Sequence, residues 1–277
     1  MNYLTAIDDT LHYSASAKPI ELYVFLDPYC KDCWSLQPLL RKLQVEYDHY
    51  FSLRIVLRTP LPKLNMPPVC DSQDSRPTNR ANPCFPSIAI KAAEFQGKRA
   101  GFRYLSCLLE YSFLKKRNVT SFSVLVEIAA RINLDVDEFI ADFTSDETMR
   151  ALQVDMFLGN EMEVDEAPTF VFFNSNIEDE GLKVSGRYEY AIYEQILEEL
   201  IGSQLLPDMP PSINSLFNRF DLLTTREVAE IYRITEKEAE RELKKRLLKQ
   251  QIECIPFQDR TLWRKKQHNC SLIKQHF

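Results

Sequence analysis

The chain lacks any apolar run near the ~20 residues of a membrane span. Its opening, Met1 to Lys18, is broken by Asp8, Asp9, His12 and Lys18, where an export signal keeps an unbroken apolar core. Both absences predict a cytoplasmic chain with no membrane partner. An even set of cysteines is also missing. The seven, Cys30, Cys33, Cys70, Cys84, Cys107, Cys254 and Cys270, cannot all pair with one another, which argues against an extracellular disulfide framework and for reduced thiols. No second C-x-x-C, no paired histidines and no internal repeat occur. Positive charge is scarce as well: the net charge is -6, and it is unevenly spread. From Pro207 onward there are 14 Lys/Arg against 10 Asp/Glu, leaving 20 against 30 before it. An acidic large domain is a poor wrapper of phosphates, so nucleic acid is not an expected partner there.

What is present suffices for a folded protein. At 277 residues and 45% hydrophobic, the chain can bury one large core and one small one. Ile20 to Leu26 (IELYVFL) reads as a buried strand that stops at Asp27-Pro28. Helical spacing follows through Trp34, Leu36, Leu39, Leu40 and Leu43, and Phe51 to Leu57 (FSLRIVL) reads as a second strand. Strand, helix, strand is the βαβ signature of a parallel pair. Thr59 to Pro86 holds seven of the fifteen prolines and reads as a long loop. Four or five helices come next, with apolar positions such as Ile88, Ala92 and Phe95; Phe102, Leu105 and Leu109; Val124, Ile128 and Ile132; Phe139, Ile140 and Phe143; and Leu152 and Met156. They form a helical insertion over about 86–162.

Strand character returns at Pro168 to Phe173, with a turn at Asn174 to Asp179 and a hairpin partner at Gly181 to Val184. A helix, Tyr190 to Ile201, is predicted to bury Ile192, Ile196 and Leu200; Gly202 stops it, and Pro207, Pro210 and Pro211 make a linker. The first domain is therefore 1–206 and the second 207–277. In the second, Thr224-x-x-Glu227 and Thr235-x-x-Glu238 are capping boxes ahead of two short helices. Val228, Ile231 and Tyr232 would pack against Ala239, Leu243 and Leu247. Short strands at Ile252 to Ile255 and Thr261 to Trp263 follow. Helix, helix, hairpin is the order of a winged-helix-like α+β domain. Its second helix opens on Glu236 and Glu238 at the end a DNA reader offers to bases and phosphates, so DNA binding is not expected, and protein docking or a structural role remain.

The chemistry-bearing motif is Cys30-Lys31-Asp32-Cys33-Trp34, set where the first strand meets a helix. At a helix N-terminus the free peptide N–H groups favour a thiolate at the leading cysteine, and the second stands one turn away, within reach of a disulfide. That suits thiol–disulfide exchange. A zinc half-site is a rival, but zinc wants four ligands; two inert thiols are the other. Pro168 opens the third core strand, where thioredoxin folds set a proline after a cis peptide bond beside the cysteine pair; an ordinary strand-opening proline is the alternative.

Phe25 to Trp34 (FLDPYCKDCW), Lys91 to Gly97 (KAAEFQG), Ala167 to Phe173 (APTFVFF) and Asp179 to Gly186 (DEGLKVSG) together resemble the SpxH (YjbH) adapter family, over nearly the whole chain. The resemblance implies an α/β thioredoxin-like fold of the DsbA type, with its helical insertion and a small C-terminal domain. It also implies a non-enzymatic adapter that binds the transcription factor Spx and promotes its degradation by ClpXP. Some members carry a His- and Cys-rich N-terminus implicated in zinc binding; here only His12 stands there, so no metal or other cofactor is expected. The reading from another class is a cytosolic thiol–disulfide oxidoreductase with Cys30 as nucleophile, Cys33 as resolving thiol and Pro168 aligning the substrate strand.

Overall fold

A computed structural model describes residues 18–58, 82–176, 180–257 and 260–266. His12, Cys70, Cys270 and most of the predicted proline-rich loop lie outside these residues, as do 177–179 of the predicted turn and 258–259 of the tail hairpin.

The first sheet is built from β1 (Ile20–Leu26), β2 (Phe51–Leu57), β3 (Thr169–Phe173) and β4 (Leu182–Ser185), in the order β2-β1-β3-β4. β1 and β2 are parallel, Ile20 opposite Phe51 through Leu26 opposite Leu57. They are joined by α1 (Lys31–Ser35) and α2 (Gln37–Glu46), the crossover that a parallel pair requires. β3 runs antiparallel to β1, Val24 facing Phe170, and β4 antiparallel to β3. Successive side chains of a strand point to opposite faces. Leu22, Val24, Leu26, Phe170 and Phe172 therefore enter the main core, whereas Phe25 and Val171 enter a second cluster with Val56 and Val164. Gly181 precedes β4 because a Cβ there would come within 2.5 Å of the Phe173 ring.

Among the described residues, five helices separate β2 from β3: α3 (Phe85–Phe95), α4 (Lys98–Leu109), α5 (Phe122–Arg131), α6 (Val136–Phe143) and α7 (Asp146–Glu161), with a π-helical turn, Glu110–Leu114, extending α4. The predicted loop reached Pro86, but α3 already begins at Phe85: a proline in the first helical turn lacks only an N–H that has no partner there anyway. Phe95, predicted to face the core, is 46% exposed as the last residue of α3. On α8 (Tyr190–Ile201) the buried residues are Tyr193, Ile196 and Leu197, not the predicted trio. Ile192 is 40% exposed and Leu200 only packs against the core edge. The Tyr193 ring, 4.6 Å from that of Phe170, sets the helix rotation. Gly202 closes α8 at φ +70°, a left-handed conformation that suits glycine.

The tail contains two elements that the capping boxes did not reveal. α9 (Ile213–Arg219) and β5 (Leu222–Thr224) precede the two expected helices, α10 (Thr225–Tyr232) and α11 (Glu236–Leu248). β6 (Ile252–Phe257) and β7 (Arg260–Lys265) are longer than predicted, and β5 joins them in a sheet ordered β5-β7-β6. Pro256 is tolerated within β6 because β6 is an edge strand. Both capping boxes form: Thr224 Oγ1 accepts from Glu227 N–H at 3.0 Å, and Thr235 Oγ1 from Glu238 N–H at 3.3 Å. Val228, Ile231, Ala239 and Leu243 form the tail core with Leu216, Phe217 and Trp263, while Tyr232 and Leu247 pack against it.

The tail core also takes in Val45 of α2, and Phe102 of α4 packs against it, so the tail is seated on the large domain. Ion pairs cross this seam in both directions. Arg41 of α2 donates to Glu227 at 2.9 Å, with both side chains buried. Glu227 thereby does two things at once: one oxygen takes Arg41 and the other closes the capping box on Thr224 N–H. In the opposite sense, Arg264 of β7 donates to Glu110 of the π-helical turn, again buried. Asp48 with Arg219 at 3.2 Å and Arg103 with Asp221 at 3.4 Å flank these pairs nearer to solvent.

Candidate functional site

The sequence from β1 into α1 builds the cysteine end locally. Asp27 accepts from Tyr29 N–H at 2.9 Å on its side chain and from Cys30 N–H at 3.0 Å on its carbonyl, which turns the chain off the strand. Cys30 then caps α1: its sulfur accepts from Cys33 N–H at 3.3 Å, and its thiol donates to the Ala167 carbonyl at 3.3 Å. The peptide bond between Ala167 and Pro168 is cis. The structure thus brings together the three residues singled out in the sequence, Cys30, Cys33 and Pro168, although they come from places far apart in the chain.

The two cysteines differ in environment. Cys30 is half-buried; Cys33 is fully buried in the main core. Burial is the main cause that pushes the Cys33 thiol above its ordinary range, and its neighbour Cys30 adds to the effect. Since the thiolate is the nucleophile and an ordinary thiol ionises near about 8.5, Cys33 stays protonated and unreactive where an exposed cysteine begins to react. In the folded, reduced protein, iodoacetamide is therefore expected to alkylate Cys30 at least about tenfold faster than Cys33. Peptide mass spectrometry after quenching measures the ratio, and comparable labelling of both would contradict it.

Residues that the motif did not announce complete the rim. Tyr29 donates from its hydroxyl to the Pro83 carbonyl at 2.8 Å, tying the cysteine loop to the start of the helical insertion. Trp34 stacks on Phe113 of the π-helical turn, centroids 6.4 Å apart. A tyrosine and a tryptophan flanking the cysteines were the signals available for these contacts, but their partners lie too far along the chain to be named from spacing. Cys84, buried, follows Pro83 beside the Tyr29 hydroxyl, whereas Cys107 is buried in the helical insertion and Cys254 is exposed on β6. Among the described residues no group of three or more His, Cys, Asp or Glu side chains is placed to hold a metal. Nor is any described helix long and apolar enough to cross a membrane.

A family model described as thioredoxin matches residues 23–195, the stretch from β1 into α8. The ClpXP adapter protein SpxH of Shouchella clausii is 40% identical over 269 residues, covering 89% of each chain. The chain belongs to the SpxH family. A second SpxH, from Halalkalibacterium halodurans, is 39% identical over 275 residues, again covering 89% of each chain. The solved structure of α-DsbA1 of Wolbachia pipientis superposes with a TM-score of 0.50 at 15% identity, over 67% of this chain and 87% of that one. At that identity it shows the fold alone: a thioredoxin-like sheet of the DsbA type with its helical insertion. The SpxH similarity reaches further, because a span of 89% cannot leave out the tail.

Proposed function

We propose that this chain is a cytoplasmic adapter that binds the transcription factor Spx and promotes its degradation by ClpXP. The observation that carries this reading is its 40% identity, across 89% of both chains, to a protein named as a ClpXP adapter. The seating of the tail supports it: an adapter needs a surface that holds its shape, and buried ion pairs join residues 1–206 to the tail, 207–277, which we read as a winged-helix-like docking domain. In a reconstituted reaction of ClpXP, ATP and Spx, addition of this chain is expected to speed the loss of Spx severalfold. An unchanged rate would refute the proposal.

A second reading, a thiol–disulfide oxidoreductase using Cys30 as nucleophile, Cys33 as resolving thiol and Pro168 to align the substrate strand, is favoured by one observation. Cys30 stands at the start of α1 beside the cis bond of Pro168. Insulin reduction by dithiothreitol separates the two readings. The adapter reading expects no acceleration above dithiothreitol alone, whereas turnover that is lost on Cys30→Ser would establish the oxidoreductase.

A further inference from the structure

Where the tail meets the helical insertion, the seam opens into a cleft of about 1000 Å³ whose charge runs against that of the whole chain. Seven arginine and lysine side chains line it, against three carboxylates, Glu110, Glu127 and Asp221, in a protein of net charge -6. Arg103 pairs with Asp221, and Glu227 and Asp48 from outside the cleft answer Arg41 and Arg219, so among the described residues the cations left without a carboxylate are Lys265 and Lys266. Glu110 alone serves three cations: Arg264 donates to it, and Lys115 and Arg131 stand at 3.6 and 3.8 Å. Lys115 is held below the ordinary lysine range, by burial first and then by the neighbouring Arg131, as expected where positive charges crowd. At the mouth, the exposed Lys265 and Lys266 meet neutral amides, Asn218 at 2.7 Å and Gln250 at 3.3 Å, and no carboxylate pairs with either among the described residues.

We propose that this cleft docks an acidic peptide segment of a partner protein, its glutamates and aspartates meeting Lys265 and Lys266. A nucleic acid is the poorer fit. Its phosphates form an unbroken row, whereas Glu127 and Asp221 interrupt the cationic wall, and the chain as a whole repels a polyanion. A peptide can place its few carboxylates between the interruptions. Because both walls are held by the buried Glu110–Arg264 pair, the site exists only while the tail is seated. The proposal concerns a binding surface and stands apart from the ClpXP reading: it is tested on the isolated full chain with no protease present.

Fluorescence anisotropy of a labelled peptide whose few glutamates are spaced by glycine and serine is the test. The full chain is expected to bind it, with an affinity that falls as salt is raised. The double variant Lys265→Glu, Lys266→Glu should bind at least about tenfold more weakly, because rim charges set attraction to an acidic partner. Charge reversal at Lys237 and Lys244, on α11, serves as the control and should change binding by less than about twofold. Should the reversal disturb folding, seen as a lowered Tm, the milder Lys265→Gln, Lys266→Gln variant is expected to show an intermediate loss. No binding, an equal loss in the control, or equally tight binding of an oligothymidylate of the same charge would each overturn the proposal.

Discussion

Replacing Trp263 with alanine is expected to lower the stability of the tail by about 3–5 kcal/mol, the range for emptying the space of a large buried aromatic. Trp263 is 1% exposed, at the centre of the tail core, on the strand shared by both pairings of the tail sheet. Its indole N–H donates to Thr225 Oγ1 at 2.8 Å at the start of α10, so the variant also loses that hydrogen bond. Whole domains are stable by only about 5–15 kcal/mol, which makes this loss large enough to unfold a small one. The chain has two tryptophans, and the other, Trp34, lies in the large domain. In the variant, tryptophan emission therefore follows the large domain alone while hydrogen exchange follows the tail. Early exchange of α10 and α11 with an unchanged Trp34 transition is the expected pattern, and a stability loss below about 1 kcal/mol would contradict it.

Glu110→Ala is expected to cost about 3–5 kcal/mol, because removing one partner of a buried pair leaves the other charge without compensation. The Arg264 side chain is only 9% exposed, and its remaining acceptor, Glu253, is itself half in solvent. The π-helical turn is what brings Glu110 to that place: π-helical turns are rare, and here one turns a glutamate from α4 into the seam. The double variant Glu110→Leu, Arg264→Met should recover most of the loss, since well-packed apolar residues often replace a buried pair without penalty. Urea unfolding of the parent chain, the single variant and the double variant decides it. A double variant as unstable as the single one would show that the cost lay in packing rather than in the stranded charge.

What the sequence disclosed and what it hid divide by distance along the chain. β1 and β2 were legible because seven consecutive strand-forming residues end at a clear breaker, and α10 and α11 because a capping box is complete within four residues. Cys30, Cys33 and Pro168 could be placed together only because a known fold supplied the geometry. α9 was passed over although Ile213, Leu216 and Phe217 have helical spacing behind Ser212, whose hydroxyl accepts from Ser215 N–H at 3.1 Å; the prolines just before it read as linker. The seam was beyond reach. Arg41 meets Glu227 across 186 positions and Glu110 meets Arg264 across 154, and no local pattern specifies such a pairing. The Ile192 face failed for a subtler reason: periodicity fixes that a helix has an apolar stripe, but the ring of Tyr193 against Phe170 decided which way it rolled.

That the chain works by holding a partner rather than by thiol chemistry is tested most directly by the Cys30→Ser, Cys33→Ser double variant in the reconstituted ClpXP and Spx reaction under reducing conditions. Serine nearly preserves the shape at both positions, and the surface around them is set by the packing of α1, the Tyr29 loop and the Ala167–Pro168 segment. The expected rate of Spx loss lies within about twofold of that with the parent chain, the size of effect of an ordinary mild substitution. Loss of most of the acceleration, in a variant whose unfolding transition is unchanged, would contradict it.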